Sequence, residues 1–393
     1  MKYKLSDICE YAKEKIKISD LDENTYISTE NMLPNKSGIT QAASLPTQEQ
    51  TQAFMKNDVL VSNIRPYFKK IWFATFDGGC SNDVLVFRAK NGINSRFLHY
   101  VLSDDSFFDY SMATSKGTKM PRGDKKAIME YEVPKLSYEE QSKIASILEV
   151  IDEKIELNSS INKNLEEQAQ AIFKSWFVDF EPFGGIQPSE MQFIPLQELC
   201  KVVTKGTTPT TLGKSFTSTG INFIKAESIL DNHSIDSSKF AFIDEETNAL
   251  LKRSVIKAND IVFTIAGTLG RFAMVDNSVL PANTNQAVAI IRPDETKVTP
   301  AYLYSFFIGN WHNEYYSKRI QQAVQANLSL TTIKSLPIAV LKNTTMNNYD
   351  KLVSPLFALM KSNEEENRRL SKLRDTLLPR LMSGELDVSN LDL

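Results

Sequence analysis

The sequence repeats itself once, and this duplication restricts the fold more than any other feature. Three pairs of segments match: Leu5–Cys9 with Leu196–Cys200, Asn57–Ser62 with Asn259–Thr264, and Phe97–Tyr100 with Tyr302–Ser305. The offsets of 191, 202 and 205 residues drift as loop insertions between equivalent elements would make them drift. A solenoid repeats about every 20–50 residues, so the sequence predicts a duplicated domain instead.

A long helical pattern follows the first half. Across Ile144–Phe173 apolar residues recur at steps of three and four, the spacing of a helix with one buried face. Ser137 and Glu140 match a capping box immediately before it. We predict a helix over about Tyr138–Phe177, roughly 40 residues and about 60 Å long at 1.5 Å per residue.

A second helical pattern follows the second half. Its core positions alternate in steps of four and three: Leu352, Leu356, Leu359, Asn363, Glu366, Leu370, Leu373 and Leu377. Pro355 near the start predicts a kink or a late first turn, because proline lacks the N–H that a helix interior uses.

Both helices have polar centres, since Asn158 and Asn162 interrupt the apolar face of the first. Such residues set the register in coiled coils, and their matched position predicts that the two helices pack against each other, antiparallel. The predicted contacts of this pair are Ile144, Ile151, Asn158, Leu165, Ile172, Leu359, Leu370 and Leu373. The alternative is that each helix packs on its own globular domain.

The remaining regions contain short runs rich in Val, Ile and Phe between Gly, Asn and Pro residues, which is typical of strands. The predicted strands are Asp58–Ser62, Ile71–Phe76, Val84–Phe87, Ile221–Lys225, Asp260–Ile265 and Ala287–Ile291. Helical stretches follow at Phe97–Asp109 and Ala301–Gln321. We predict an α+β fold with two α/β globular domains at 1–136 and 183–343, and long helices within 137–182 and 344–393.

The net charge of −3 hides an uneven distribution. Residues 137–190 carry four basic and eleven acidic side chains, a net charge of −7, whereas residues 1–136 and 191–343 carry +2 and +3. Phosphate would repel the acidic segment. The central helix is therefore predicted to contact protein, and the globular domains are free to contact nucleic acid.

Cysteine usage and hydropathy bear on the cellular compartment. Cys9, Cys80 and Cys200 form no Cys-x-x-Cys pair, so neither a disulfide framework nor a cysteine zinc site is expected. The first residues lack the apolar core of a secretory signal, and no apolar run approaches about 18 residues. These features predict a cytoplasmic protein without membrane association.

Several motifs resemble catalytic sites, but the spacing of their residues does not match those sites. Six residues separate the glycines of Gly206–Ser215, more than a phosphate-binding loop has. Asn63–Tyr67 carries an extra residue relative to the Asn-Pro-Pro-Tyr motif of adenine-N6 methyltransferases. The contiguous charges of Asp294–Lys297 cannot converge on one ion and predict a solvated turn. His99 and His312 are predicted to be packing residues, so we expect no catalytic residue, metal or cofactor in this chain.

Two loops of the first domain combine cations with aromatic or glycine residues. Asn63–Lys70 has three cations and two aromatic rings, and Ser115–Lys126 has five cations and one acid. Lysine can neutralise DNA phosphates, and arginine can also pair bidentately with guanine. The alternative for each is a solvated surface loop.

The second domain offers polar turns at Lys205–Thr211, Gly267–Arg271, Asn283–Gln286 and Gln321–Asn327. Amide side chains match the adenine edge, although they also occur in ordinary loops. The predicted base-reading residues are Arg65, Arg122, Arg271, Asn285 and Asn327. The predicted phosphate contacts are Lys69, Lys70, Lys116, Lys119, Lys125, Lys205, Thr207 and Thr208.

Several of these motifs together resemble the DNA-specificity subunits of type I restriction–modification systems. The resembling segments are Glu140–Leu148, Ile151–Asn158, Gln170–Pro182, Leu373–Asp375 and Leu377–Glu385, with recognition-domain loops at Gly117–Arg122 and Gly206–Pro209. The resemblance extends over essentially the whole chain. It implies two target-recognition domains separated by a pair of long antiparallel, coiled-coil-like helices.

The resemblance also implies a non-catalytic function, in which the chain recognises an asymmetric, bipartite target in double-stranded DNA. Two modification subunits would bind it and methylate adenine N6 with S-adenosylmethionine, and restriction subunits would use ATP and Mg. Two other classes stay open: a structural adaptor that binds only proteins, and an enzyme with an unrecognised active site. The lysine-rich loops argue against the adaptor.

Overall fold

The computed structural model describes residues 2–312, 315 and 328–388. The chain divides into two compact units, residues 1–157 with 366–393, and residues 158–365. Each unit contains one globular domain and one half of each long helix. Within the described ranges, no helix is both long and apolar enough to cross a bilayer.

The first unit contains two four-stranded sheets. Its strands are β1 (Lys2–Lys4), β2 (Cys9–Tyr11), β3 (Lys15–Lys17), β4 (Tyr26–Ile27), β5 (Gln50–Phe54), β6 (Val59–Ser62), β7 (Ile71–Phe73), β8 (Gly78–Cys80), β9 (Val84–Ala89) and β10 (Glu132–Pro134). Its helices are α1 (Leu5–Ile8), α2 (Ser95–Ser103), α3 (Asp105–Ala113), α4 (Lys125–Ile128) and the first half of α5 (Tyr138–Phe177). The strand orders are β2-β9-β6-β7, antiparallel, and β3-β5-β8-β4, mixed, and β1 pairs with β10.

The second unit repeats this plan. Its strands are β11 (Gln192–Pro195), β12 (Cys200–Lys205), β13 (Ile221–Ile224), β14 (Ala241–Ile243), β15 (Ile261–Thr264), β16 (Phe272–Met274), β17 (Ala282–Thr284), β18 (Val288–Pro293) and β19 (Pro337–Val340). Its helices are the second half of α5, α6 (Glu245–Leu250), α7 (Pro300–Ile308), α8 (Leu330–Lys334) and the first half of α9 (Asn343–Met382). The strand orders are β12-β18-β15-β16 and β14-β13-β17, and β11 pairs with β19.

The largest core of each unit joins the antiparallel sheet to a half of α5. In the first unit, Phe87 of β9, Phe97 of α2 and Leu148 of α5 are buried in one cluster. In the second unit, Phe263 of β15 and Phe173 of α5 are buried in the equivalent cluster. Apolar burial of this kind supplies most of the stability of a helix against a sheet, so each half of α5 is anchored by its own domain.

Equivalent strands of the two units carry the same buried ion pair. The Asp58 carboxylate accepts hydrogen bonds from Nε and Nη2 of Arg88 at 2.9 and 2.7 Å. The Asp260 carboxylate accepts the same pair from Arg292, at 2.7 Å each. A backbone N–H three residues earlier also donates to each carboxylate, at 2.8 and 2.7 Å. The recurrence of this arrangement confirms the predicted duplication.

The two long helices pair in antiparallel orientation within each unit. In the first unit, Nη1 of Arg374 donates to Oδ1 of Asp152 at 2.8 Å. In the second, Nδ2 of Asn363 donates to Oδ1 of Asn162 at 2.8 Å, and Nδ2 of Asn162 donates to the carbonyl of Met360 at 3.0 Å. In the first unit, Nδ2 of Asn367 also donates to the carbonyl of Ile155 at 3.4 Å, so residue numbers rise along α5 as they fall along α9. The predicted antiparallel packing and polar centre are therefore confirmed.

The predicted contact residues divide into two groups. Ile144, Ile151, Asn158 and Leu165 are buried, and Ile172 and Leu370 are half-buried. Leu359 and Leu373 are each 47% exposed, so their assignment to the packed face was wrong. Phe357 and Met360 are buried nearby instead. In a straight helix, positions seven residues apart are rotated by about 20° around the helix axis. A strict heptad pattern therefore assigns some exposed positions to the buried face.

The predicted late start at Pro355 was also wrong. Helix α9 begins at Asn343 and continues through Pro355. Val353 and Phe357, on either side of the proline, are buried in the core of the second unit. Their burial offsets the one backbone hydrogen bond that a proline removes.

Candidate nucleic-acid interface

Two loops predicted to contact DNA lie together in the first unit. The backbone N–H of Arg65 donates to the carbonyl of Pro121 at 2.8 Å. A third loop joins them, because the N–H of Lys36 donates to the carbonyl of Lys69 at 2.9 Å. These segments, residues 34–37, 63–70 and 115–126, form the first loop cluster.

Strained backbone shapes the centre of this cluster. Arg65 and Lys69 have φ values of 51° and 50°, in the left-handed region that residues other than glycine rarely adopt. They flank one turn of 3-10 helix, Pro66–Phe68. The turn exposes Tyr67 and Phe68, whose ring centroids lie 4.7 Å apart. The result is a protruding aromatic pair flanked by two cations.

The loop 115–126 presents cations to solvent. Lys119 and Lys125 are exposed and form no ion pair with the described residues. Lys116 is also exposed but lies 2.5 Å from Oδ2 of Asp124. The hydrogen bond from Lys116 and those from two backbone N–H groups lower the pKa of Asp124 to about 2. Within the first loop cluster, Lys119 and Lys125 are therefore predicted phosphate contacts that are both exposed and without an ion pair to the described residues.

Other predicted contacts already have partners within the first unit. Lys69 and Lys36 each lie 2.8 Å from a carboxylate oxygen of Asp105. Burial alone would raise the pKa of Asp105, but the hydrogen bonds from these lysines lower it overall. Lys70 donates to the carbonyl of Thr29 at 2.5 Å, and burial lowers the pKa of Lys70. These lysines stabilise the loops as well as adding charge.

The two predicted base-reading arginines of this cluster differ in their contacts. Nη2 of Arg122 lies 3.1 Å from Oδ1 of Asp83, which orients the guanidinium. Nε of Arg65 is buried and has no hydrogen-bond partner among the described residues. An unsatisfied buried donor costs about 1–3 kcal/mol, so Arg65 can gain a hydrogen bond from a bound group.

A second loop cluster, residues 205–211 and 283–286 with Arg253, lies in the second unit. The N–H of Gly206 donates to the carbonyl of Asn285 at 3.1 Å, and Oγ1 of Thr208 donates to Gln286. A Cβ atom at Gly206 would lie 1.9 Å from the carbonyl oxygen of Thr284. Only glycine allows this approach, so the loop 205–211 is fixed against the turn 283–286.

Arg253 completes the second loop cluster, and sequence reasoning missed it. Its Nη2 donates to the carbonyl of Lys205 at 3.4 Å and to Oγ1 of Thr207 at 3.3 Å. Oδ1 of Asn285 accepts the N–H of Ala287 at 3.1 Å, which fixes the amide of a predicted base reader. Of the predicted contacts, Lys205 is exposed, whereas Thr207 and Thr208 are half-buried.

The last two predicted base readers do not lie in the second loop cluster. Nε and Nη2 of Arg271 each donate to Asp231 at 2.6 Å, and Nη1 donates to the carbonyl of Ile229 at 3.4 Å. A base reader at this position would have to exchange Asp231 for a base edge. Asn327 lies outside the described residues. No sequence signal marks Asp83, Asp105 or Asp231 as counter-ions, because each comes from a distant segment.

His99 and His312 pack against aromatic rings, as predicted. The ring of His99 lies 5.6 Å from that of Phe73, and burial lowers the pKa of His99 to about 3. The ring of His312 lies 5.2 Å from that of Phe307, and burial lowers its pKa to about 4. Within the described ranges, no group of three or more His, Cys, Asp or Glu residues could hold a metal ion.

We expect the chain to lose stability as the pH falls below about 6.5, and His99→Phe to reduce this loss. Unfolded His99 titrates near 6.5 and folded His99 near 3, so between these values only the unfolded state binds the proton. The free energy of unfolding then falls by up to about 1.4 kcal/mol per pH unit. Urea unfolding at pH 7, 6 and 5 measures the slope, and equal slopes for the variant and the parent would contradict the prediction.

Comparison with known proteins decides the family. A family model described as the type I restriction modification DNA specificity domain matches residues 1–167 and 188–342. The chain belongs to this family. It is therefore a specificity subunit that serves DNA target recognition and is non-catalytic, since catalysis in these systems lies in other subunits.

Named relatives agree with this assignment. The chain is 27% identical to the MjaIX specificity subunit of Methanocaldococcus jannaschii, over 77% of this chain and 71% of the relative. It is 26% identical to the HindI specificity subunit of Haemophilus influenzae, over 98% and 99% of the two chains. The solved S subunit from M. genitalium has the same fold, with a TM-score of 0.58, 17% identity, and coverage of 97% and 96%.

Proposed function

We propose that this specificity subunit recognises an asymmetric, bipartite target in double-stranded DNA, with one half-site for each globular domain. The main support for this proposal is that the two domains share the same ion pair, Asp58–Arg88 in one and Asp260–Arg292 in the other, but carry different loop clusters. Both clusters contain lysine and arginine, but the first adds an aromatic pair, whereas the second adds threonine and amide side chains. Different contact residues on one framework suit two different half-sites.

The proposed recognition domains are residues 1–136 and 183–343. Residues 137–182 and 344–393 supply the helix pair, which sets the number of unread base pairs between the half-sites. The segment 137–190, with its net charge of −7, would be repelled by phosphate and suits contact with other subunits. Two modification subunits would bind there and on the recognition domains.

The chemistry is proposed to reside in those other subunits. The modification subunits would methylate adenine N6 with S-adenosylmethionine, and restriction subunits would use ATP and Mg to translocate and cleave DNA. This chain would hold none of these cofactors and would act in the cytoplasm. Its role is to direct both activities to one sequence, and a methylation map of the genome with and without the chain identifies that sequence.

Within the interface, we propose two kinds of contact. Phosphate contacts would come from Lys69, Lys70, Lys116, Lys119, Lys125, Lys205, Thr207 and Thr208. Base contacts would come from Arg65, Arg122, Arg271, Asn285 and Asn327. Of the base readers, Arg65 and Arg122 have the strongest structural support, because both belong to the first loop cluster and neither has both edges of its guanidinium occupied.

We expect Lys119→Ala to weaken binding to all DNA sequences alike and to lower the salt slope by about one unit, since one phosphate contact is lost. Arg122→Ala should instead cost about 1–3 kcal/mol at one base position and little on other DNA. Mobility-shift titrations of the assembled complex, on target and non-target duplexes at several salt concentrations, separate the two.

Lys13→Ala is the matched control, because Lys13 is an exposed lysine outside the first loop cluster. It should leave both the affinity and the salt slope unchanged. A uniform loss for Arg122→Ala would refute its base-reading role. The absence of any salt-dependent shift with the assembled complex would favour the protein-only adaptor.

A further inference from the structure

A cavity of about 410 Å³ lies in the second unit, between the globular domain and the first half of α9. The aromatic and aliphatic side chains of Tyr304, Phe357 and Met360 line part of it. The rings of Tyr304 and Phe357 pack edge to face with centroids 5.2 Å apart. The cavity therefore has a fixed apolar wall, and nothing in the DNA contacts proposed above uses it.

Four carboxylates contribute to the rest of the lining. Asp276, Glu295, Asp350 and Glu364 all line the cavity, and Lys361 is the one lysine or arginine in the lining within the described ranges. The carboxylates are too dispersed to hold a metal ion, since no such group occurs among the described residues. An elongated cation can approach several of them at once, and DNA phosphate would be repelled.

One buried polar atom of the lining has no hydrogen-bond partner in the described parts of the chain. Beside it in the lining is Tyr304, whose side chain is only 6% exposed. Oδ1 of Asp350 is buried and unsatisfied. Burial and the nearby carboxylates of Glu364 and Glu166 raise the pKa of Tyr304, so its hydroxyl stays neutral and can accept a hydrogen bond. A buried polar atom normally has a partner, so the unsatisfied oxygen of Asp350 indicates a ligand that donates hydrogen bonds.

We propose that this cavity binds an alkylguanidinium or alkylammonium group. The cationic head would donate to Asp350 and to the hydroxyl of Tyr304, and its aliphatic stem would lie on Met360 and Phe357. Long cationic side chains combine an apolar stem with a charged head in this way, and a guanidinium also stacks favourably on aromatic rings. The group comes either from an arginine or lysine side chain of another subunit or from a free polyamine.

Binding of a side chain from another subunit rests on the proposed function, because it requires subunits that assemble on this chain. Binding of a free polyamine does not depend on the proposed function. The test therefore has two arms, both with the full-length chain. In the first, agmatine and spermidine are titrated calorimetrically into the chain alone. In the second, assembly with the modification subunits is measured as a dissociation constant.

Three substitutions probe the cavity: Glu295→Gln and Asp350→Asn remove charge, and Tyr304→Phe removes only the hydroxyl. Glu385→Gln, an exposed carboxylate elsewhere in the chain, is the matched control. Glu295→Gln and Asp350→Asn should each raise the dissociation constant about tenfold, either for the polyamine or for assembly with the modification subunits. Losing one ion pair in a partly enclosed site lowers affinity by about this factor. Tyr304→Phe should weaken the same arm by a smaller factor, and the control should change neither.

The pattern of losses identifies the source. Loss of agmatine or spermidine binding with normal assembly indicates a free cation, and loss of assembly indicates a side chain of another subunit. The proposal is overturned if neither polyamine binds and assembly is unchanged in all three variants. Because DNA is absent from both arms, that outcome leaves the proposed target recognition untouched. A chain that binds polyamine but directs no methylation would overturn the proposed function alone.

Discussion

Removing two helical turns from both long helices should shorten the unread gap of the proposed bipartite DNA target by about three base pairs. The coupled deletion takes out residues 158–164 of α5 and 360–366 of α9, which face each other through the Asn162–Asn363 hydrogen bond. Seven residues shorten a helix by about 10 Å at 1.5 Å per residue, and roughly 3.4 Å corresponds to one base pair. Seven residues also keep the buried face within about 20° of its former direction.

Both half-sites should stay readable, because the deletion leaves the two loop clusters intact. A methylation map of cells carrying the shortened chain measures the new gap directly. The control is a chain in which the same seven-residue segments are replaced by others of equal length and the same heptad pattern, which should keep the original gap. Methylation by the shortened chain at the original spacing would refute the role of the helices as spacers.

Breaking either buried ion pair should destabilise its own unit by about 3–5 kcal/mol, the cost of leaving a buried charge without its partner. Arg88→Leu leaves Asp58, whose side chain is 3% exposed, without its counter-ion. Arg292→Leu does the same to Asp260, which is fully buried. The duplication makes each variant the control for the other.

Tryptophan fluorescence can follow the two units separately during urea unfolding. Trp72 lies in the first unit, and Trp176 and Trp311 lie in the second. In a background with Trp176→Phe and Trp311→Phe, Arg88→Leu should lower the transition midpoint, and Arg292→Leu should affect it less. Lys2→Ala removes an exposed ion pair with Glu132 and should change nothing measurable. Equal midpoints for Arg88→Leu and Lys2→Ala would show that the buried pair does not stabilise the fold.

Sequence reasoning succeeded where local patterns carry the structure. The helix predicted over Tyr138–Phe177 has those bounds, and Ser137 and Glu140 form the predicted capping box, with the N–H of Ser137 donating to Oε2 of Glu140 at 2.7 Å. All six predicted strands exist, with ends shifted by up to three residues. The spacing of apolar residues and the capping box depend only on residues that are close in sequence. Both can therefore be predicted from the sequence alone.

It failed where a distant residue determines the outcome. The heptad pattern predicted that Leu359 and Leu373 are buried, but both are largely exposed. Phe357 and Met360 are buried in the core of the second unit instead. The chemistry of proline predicted a kink or a late start of α9, and the late start was wrong. The helix continues through Pro355, with buried residues on both sides of it.

The sequence by itself determined the duplication, the two long helices, the absence of a recognisable catalytic motif and the family resemblance, because each depends on residue order alone. Only the tertiary structure decided that loops 63–70 and 115–126 lie against each other. It also decided that Lys69 forms an ion pair with Asp105, and Arg271 an ion pair with Asp231. Pairings of this kind join segments tens of residues apart. A charged side chain takes whichever counter-ion the fold brings within reach, and no local pattern in the chain encodes that choice.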